Sequence, residues 1–563
     1  MSDWNDLLPS SHTDTFTRDR LPPKDQWPVF LTELPELNYP DTLNAATELV
    51  DRHVQNGKGQ RTALHGVTNI DQHSGAFSWT YAELQSQVDR IAHVLRQDMG
   101  LVPGNRILLR GGNSPMMAAC LLASMKAGLV AVPTMPLLRA GELATIIDKA
   151  QVSAALCDSL LADELRQCMT AGHAHHAPSL RQMVEFRSGA ADGLEQRMQH
   201  HGSEFTAHPT SRDDVCLIAF TSGTTGKPKG TMHFHRDVLA MCDLFPRHIL
   251  RMDENDVVCG TPPIAFTFGL GGLLAFPLRY GASTVLLEKH TPETLLRTVA
   301  QYQATQCYTA PTMYRQMAGM AKDFDLSSLK HPVSAGEALP DATRQLWQQA
   351  TGIVMTDGIG GTEVIHIYIS SAGDQVRRGS IGQVVPGYVA QIVDEDMQPV
   401  APGTVGRLAV RGPTGCKYLH DPRQQDYVKA GWNLPGDTFV MDADGYFSYQ
   451  ARNDDMIISA GYNIAAPEVE EALMQHPAVA ECAVIGAPDA DRGQIVQAFV
   501  VLRAGQGEAG EAMVRTLQDF VKATVAPYKY PRSVVFVAQL PRTQTGKLQR
   551  FVLKQAAQTG AAS

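Results

Sequence analysis

Short apolar runs and helix-period segments alternate twice along this 563-residue chain, and that alternation limits the fold more than any other feature. From Ser78 to Asp158 the runs Arg106–Leu109, Leu129–Val132 and Ala154–Cys157 read as strands. Between them lie helical stretches: one opened by Trp79 and Tyr81 and running to about Gln97, one capped by Asn113 and Ser114, and one over Ala140–Ala150. The pattern returns with strands Val257–Gly260, Ser283–Leu287 and Cys307–Thr309 and helices Pro292–Tyr302 and Ala342–Thr351. Strands joined by helix-length crossovers pair in parallel, so layered α/β subdomains are expected. From Ile381 to Val410 the strands shorten and Gly/Pro turns crowd in, which suggests a small β-barrel-like subdomain. Beyond about residue 452 a separate α+β set follows, with helices Pro467–Gln475 and Ala512–Thr524 and strands Glu481–Ile485, Val496–Leu502 and Val534–Val537. The division expected is an extension over 1–42, a large domain over 43–451, a hinge at 452–455 and a small mobile domain over 456–563.

One stretch interrupts the alternation. Thr221–Gly230 reads TSGTTGKPKG, after the strand-like run Val215–Phe220 and before a helix-like run from near His233. Glycine admits close backbone approach, hydroxyls donate and lysines neutralise charge, so the composition suits a loop that wraps polyphosphate. It is not a Walker A loop: Thr221 stands where the first glycine belongs and Pro228 follows Lys227.

Composition excludes several classes. The net charge of −10 argues against nucleic-acid binding. The nine cysteines include no C-x-x-C pair and read as free thiols of a reducing compartment. The histidine clusters His173/His175/His176 and His200/His201 sit among Gly, Ala and charged residues and read as exposed loop rather than metal site. The N-terminus lacks a signal-peptide layout, and Lys126, Gly128 and two prolines break the longest apolar run, Met116–Leu138. A cytoplasmic enzyme without a membrane span is expected, as monomer or homodimer.

Further polar, glycine-rich clusters follow in order: SAGEAL at Ser334–Leu339, DGIGGTE at Asp357–Glu363, Gly436–Asp437 before DADGYF, RNDDMIISAGYN at Arg452–Asn463 and PRTQTGKLQR at Pro541–Arg550. In this order and spacing they resemble the adenylate-forming superfamily of acyl-CoA synthetases, luciferases and peptide-synthetase adenylation domains, over nearly the whole chain. The resemblance implies two steps: a carboxylate attacks the α-phosphate of MgATP and releases pyrophosphate, then a thiol, coenzyme A, displaces AMP from the acyl-adenylate. By match to the motifs, Thr221, Ser222, Gly223, Thr224, Thr225, Gly226, Lys227 and Lys229 hold the β- and γ-phosphates. Thr362 contacts the α-phosphate and Glu363 binds Mg²⁺. Gly336, Glu337 and Ala338 with Asp357, Gly358 and Ile359 line the adenine site; Asp437 takes the ribose hydroxyls and Arg452 reaches ribose or phosphate. Lys547 bridges the carboxylate and α-phosphate in the first step. Asp454 is the hinge about which the small domain turns, bringing Ser459, Gly461 and Tyr462 to a CoA tunnel.

The acid is narrowed by departures from the superfamily pattern. Relatives that activate α-amino acids carry an acid where this chain has Phe266, in PPIAFTFGLGG, so amino acids are disfavoured. Phe266, Thr267, Phe268 and Gly269 suggest a flat apolar slot for an aromatic ring, although plain core phenylalanines would read the same way. Ile359 stands where many relatives stack an aromatic ring on adenine. DGIG-x-TE followed by His366 resembles the benzoate-CoA ligase branch, in which this histidine lies by the aromatic acid; it can also be read as a satisfied core histidine. HTDTFTRDRLPP, LPELNYPDTLNAATELVDRHV and SAGEALP together most resemble 2-aminobenzoate-CoA ligases, with benzoate close behind. The alternatives are an aryl-adenylating enzyme that loads a carrier protein, a ligase for another carboxylic acid, and a non-catalytic adenylate binder; retention of Lys547, Glu363 and Asp437 argues against the last.

Overall fold

The computed structural model describes all residues except 1–6, 69, 71–75, 222–227, 453–455, 460–461, 490–491, 526, 543–547 and 560–563, and the side chains of 452, 456, 458, 462, 463, 493, 558 and 559. Two largely parallel sheets form the large domain. The first has six strands in the order Gln182–Phe186, Ala154–Asp158, Arg106–Arg110, Val130–Thr134, Val215–Thr221 and Lys229–Phe234. Only the last pair is antiparallel. The second has nine, with Ile367–Ser371, Thr356–Gly360, His331–Ser334, Gln306–Thr309, Val257–Gly260 and Ser283–Leu287 as successive neighbours. Between the sheets the helix Pro115–Lys126 is buried on nearly every side, as its uniformly apolar sequence requires. Its one charge, Lys126, is matched inside by Asp51 at 2.7 Å and by Asp89.

A third, antiparallel sheet of six short strands runs from Val389–Val393 to Phe447–Arg452. The small domain has its own sheet, built on the long hairpin Val479–Asp489/Gly493–Leu502, and its own apolar core around Val469, Leu473, Val484 and Leu517. The N-terminal extension lies along the body with little regular structure: Ser10 and Ser11 donate to Asp214 at 2.5 and 2.6 Å, and Trp27 packs on Phe30 and Phe234.

Local readings shift in three places. The stretch after the glycine-rich loop is a strand to Phe234, and the helix starts only at His235; pairing on both sides imposes extended structure on Lys229–Phe234. Trp79 belongs to the strand Phe77–Thr80; the helix begins at Tyr81, where Thr80 and Glu83 form a capping box. The weakly patterned 159–212 contains the edge strand Gln182–Phe186 and two short helices.

Candidate active site

Of the expected ATP-site residues, Thr221 closes one strand of the first sheet and Gly336–Ala338 follow the end of a parallel strand of the second, the ends at which open α/β sheets bind ligands. Ser334 and Asp357 are register partners on neighbouring strands, so SAGEAL leaves the sheet beside DGIG, which continues as strand to Gly360. Gly336 needs its glycine: its φ of +90° is one that other residues rarely adopt. Gly336 and Ala338 are exposed, Glu337 and Ile359 half-buried, and Asp357 and Gly358 buried. Burial raises the Asp357 carboxyl to about 7, against the pull of Arg344 at 3.3 Å and of the Gly358 N–H.

The glycine-rich loop spans the tip of the hairpin Val215–Thr221/Lys229–Phe234, whose last registered pair is Thr221 with Lys229. Ser222, Gly223, Thr224, Thr225, Gly226 and Lys227 lie outside the described residues. The strand Thr356–Gly360 runs into the turn Thr362–Val364, which packs against the first sheet's strand Val215–Thr221. Glu363 and Lys229 therefore meet, Nζ to Oε1 3.6 Å. Beside the pair, in contact with both, stands Tyr418, which the sequence reading passed over: its hydroxyl donates to Glu363 Oε1 at 2.6 Å and accepts from Lys229 Nζ at 2.8 Å. Asp437 and Arg452, expected at the ribose, are direct partners across an antiparallel pair.

At the small domain, Arg542 lies 3.9 Å from Glu337 and donates to Glu481 at 2.9 Å. Arg542 and Leu548, which flank 543–547, bridge each other. Lys547 itself, Asp454 and Gly461 lie outside the described residues, as does the side chain of Tyr462. Ser459 belongs to the small domain's sheet, where its hydroxyl accepts from Arg492 at 3.1 Å.

The segment expected to hold the acid is a turn into a helix. Thr267–Leu270 is α-helical, Gly271–Ala275 widens into a π turn, and Phe276–Tyr280 resumes the α-helix. π turns of this kind cluster at functional sites. Phe266 and Phe268 are half-buried, Phe268 against the main core, and Thr267 and Gly269 are buried. His366 stands behind them in a cage of rings, 4.5 Å from Phe276, 5.7 Å from Phe245 and 5.9 Å from Phe268 between centroids. Burial lowers its pKa to about 3, so the imidazole is neutral. Nε2 lies 3.4 Å from the Phe268 carbonyl, and Nδ1 has no hydrogen-bond partner among the described residues. Gly271 makes room for this ring: a Cβ there would sit 2.4 Å from His366 Cδ2.

Asn113 is a second residue with an unforeseen role. Ser114 caps the helix Pro115–Lys126 alone, and Asn113 turns to the loop before Phe266 instead. Its Nδ2 donates to the Pro262 carbonyl at 3.0 Å, and its Oδ1 accepts from the Ile264 N–H at 2.9 Å. The amide thus pins the loop of one sheet to the other.

This geometry can be set beside known proteins. Residues 50–418 match the model of the AMP-binding enzyme family, and 468–547 that of the AMP-binding enzyme C-terminal domain. The chain belongs to the AMP-binding enzyme family. It is 36% identical to the benzoate–CoA ligase of Thauera aromatica, over 93% of this chain and 98% of that one. Among solved structures it resembles the anthranilate CoA ligase AuaEII, determined with anthranoyl-AMP, at a TM-score of 0.86 and 32% identity, covering 94% of this chain and 100% of that one. It also resembles a benzoate CoA ligase of Burkholderia xenovorans LB400, at 0.80 and 30%, covering 91% and 99%. The chain is thus an AMP-forming acid–CoA ligase of the adenylate-forming superfamily, with benzoate- and anthranilate-CoA ligases among its relatives. No helix among the described residues is long and apolar enough to cross a membrane.

Proposed function

We propose that the protein activates an aromatic carboxylic acid of the 2-aminobenzoate type as its acyl-adenylate and transfers it to coenzyme A, releasing AMP and pyrophosphate. The observation that carries this reading is the neutral, ring-caged His366 against Phe268, which with Phe266 is half-buried. An apolar slot with one polar group at its wall fits a flat ring bearing one polar substituent. The tautomer with its proton on Nε2 would favour an amine. With the Nε2 proton directed at the Phe268 carbonyl, the unpartnered Nδ1 is an acceptor. An ortho N–H satisfies an acceptor, whereas a carboxylate placed there would repel it. The names of the neighbours, an anthranilate and two benzoate CoA ligases, agree with this class of acid.

In the proposed first step, the Thr221–Lys229 loop and Thr362 hold the triphosphate, and Asp437 and Arg452 hold the ribose. Adenine lies between Gly336–Ala338 and Asp357–Ile359, and Lys547 brings carboxylate and α-phosphate together. Preorganised cations and N–H donors lower the cost of that approach between two anions. The carboxylate of Glu363, a hard oxygen donor with Lys229 and Tyr418 around one of its oxygens, suits Mg²⁺. When bound, the metal neutralises phosphate charge. In the proposed second step, turning at Asp454 presents Ser459, Gly461 and Tyr462 to the thiol.

The test is ATP- and CoA-dependent thioester formation, with kcat/KM compared for 2-aminobenzoate, benzoate, 2-hydroxybenzoate, phenylacetate and a medium-chain fatty acid. We expect 2-aminobenzoate first, and His366→Leu to remove its advantage over benzoate. A preference for the fatty acid would overturn the aromatic slot, and transfer to a phosphopantetheinylated carrier but not to CoA would overturn the acceptor.

A further inference from the structure

We infer that Arg542 is a positioning residue for the first half-reaction: it docks the small domain on Glu337, in the loop proposed to line adenine, and so anchors the segment that carries Lys547. The assignment rests on the two-step reading above and adds to it a residue which that reading left without a role.

Arg542 stands at one end of 543–547. Its backbone bridges Leu548 at the other end, and the Gln549 N–H donates to the Pro541 carbonyl at 2.9 Å. Lys547 is bonded to Leu548 in the chain, so whatever fixes Arg542 also fixes where the Lys547 segment is tied down. The paired ends belong to the small domain, where Arg550 donates to both oxygens of Glu470 at 2.7 Å, on the helix Ala466–Met474. Arg542 reaches out of it. Its Nη2 donates to Glu481 of the small domain at 2.9 Å, and its Nη1 lies 3.9 Å from Glu337 Oε1 of the large one. An ion pair thus joins the domains between the two segments that the first step must bring together.

The surrounding charges make this pair the attractive contact. Arg315, on the large-domain helix Pro311–Ala318, is attracted by Glu481 but repelled by Arg503. The helix Ala466–Met474 packs against the large-domain helix Asp341–Thr351, and there burial, then the Asp341 charge, push the Glu471 carboxyl up against the pull of Arg378. Both of these contacts set attraction against repulsion, whereas Arg542 meets carboxylates on either side. Its strength also suits a domain that has to leave. The Arg542 and Glu337 side chains are 30% and 26% exposed. An ion pair so wetted shifts an equilibrium only about 2- to 5-fold. That is enough to bias docking and too little to prevent the turn of the second step.

Arg542→Glu puts repulsion in place of attraction, which squares the effect to about 4- to 25-fold. At saturating ATP and without CoA, single-turnover pyrophosphate release with 2-aminobenzoate should fall by that factor. Conversion of supplied 2-aminobenzoyl-AMP to thioester by the same variant should stay within about twofold or rise, because the first-step arrangement is no longer favoured. Arg542→Glu combined with Glu481→Arg separates docking from folding. The exchange restores an opposite pair inside the small domain, yet turns a carboxylate towards Glu337 and a guanidinium towards Arg315. We expect its melting temperature to return to the wild-type value and its pyrophosphate release to stay low. Recovery of both would mean that Arg542 serves only the small domain's stability, and equal loss of both half-reactions in Arg542→Glu would mean general damage; either overturns the inference. Wild-type protein that forms no acyl-AMP at all would instead bring down the two-step reading beneath it.

Discussion

Asn113→Ala should damage the use of the acid while sparing ATP. The side chain is 7% exposed and makes both of its hydrogen bonds to the backbone of the loop before Phe266, proposed to hold the acid. Truncation leaves the Ile264 N–H without its acceptor, in a residue only 1% exposed, and the half-buried Pro262 carbonyl without its donor. An unsatisfied buried group costs about 1–3 kcal/mol, so the pair is worth about 2–4 kcal/mol. If about 2 kcal/mol of that appears as disorder of the loop, the population able to bind acid falls about 30-fold, and the acid KM rises by the same factor. The phosphate hairpin Val215–Thr221/Lys229–Phe234 does not touch Asn113 through any of these bonds, so the ATP KM should stay within about twofold. The assay is pyrophosphate release with each substrate varied at saturation of the other. Asn113→Asp sharpens it: a carboxylate still accepts from Ile264 but cannot donate to Pro262, and should lie between wild type and alanine. Equal changes in both KM values, or none in a variant of lowered melting temperature, would refute the argument.

Three further outcomes are expected. Gly271→Ala places a methyl group against His366 and Phe276 and should cost about 1–3 kcal/mol with loss of acid binding, whereas Gly202→Ala, with nothing within 4 Å of the new Cβ, should do neither; urea unfolding and acid KM values check the pair. Asp357 has a folded pKa of about 7, above the unfolded value, so the folded state binds its proton more tightly: that stability is complete below about pH 4 and is lost as the pH rises through 7. Asp357→Asn should flatten the fall in urea midpoint between pH 5 and pH 8, and an unchanged slope would count against the burial of this charge. Lys547→Ala should abolish acyl-AMP formation yet convert supplied acyl-AMP to thioester, and equal loss of both half-reactions would remove it from the first step.

The parts of the site that could be read from sequence are those whose composition is odd for their place. Glycines, hydroxyls and charges at the ends of apolar runs fit neither a core nor an ordinary turn, and Thr221, Lys229, Ser334–Ala338, Asp357–Glu363 and Asp437 stand out for that reason. The large fold was legible too, because strands such as Ala154–Asp158 and helices such as Pro292–Tyr302 carry their own periodicity. What stayed hidden depends on contacts distant in sequence. Tyr418 lies 55 positions from Glu363 and 189 from Lys229, in a segment outside every motif read from the sequence. Asn113 looks like a helix cap because Asn usually is one, and only the loop 149 residues away gives its amide another partner. The strand Lys229–Phe234 was missed because its extended form is imposed by pairing rather than by its residues.

Behind Lys229 and Tyr418 sits a second tier of charge that stability alone does not justify. Lys417 and Asp237 pair at 2.9 Å with both side chains wholly buried, His233 is 3.8 Å from the same carboxylate, and Arg236 meets Asp213 at 2.8 Å. Taking such groups out of water costs several kcal/mol per ion, and apolar replacements are often as stable or more so. Register is the physical reason to keep them. Lys417 reaches from the 417–419 segment to Asp237, which also accepts from the Phe234 N–H at the start of the helix His235–Phe245. Side chains alternate along an extended segment, so a slip of one residue would turn Tyr418 away from Lys229 and leave Lys417 buried without a partner. The penalty for that error is the full desolvation of an ammonium, far larger than any loss of apolar contact. The buried pair thus makes the wrong register expensive, and the right one places the Tyr418 hydroxyl against both Lys229 and Glu363.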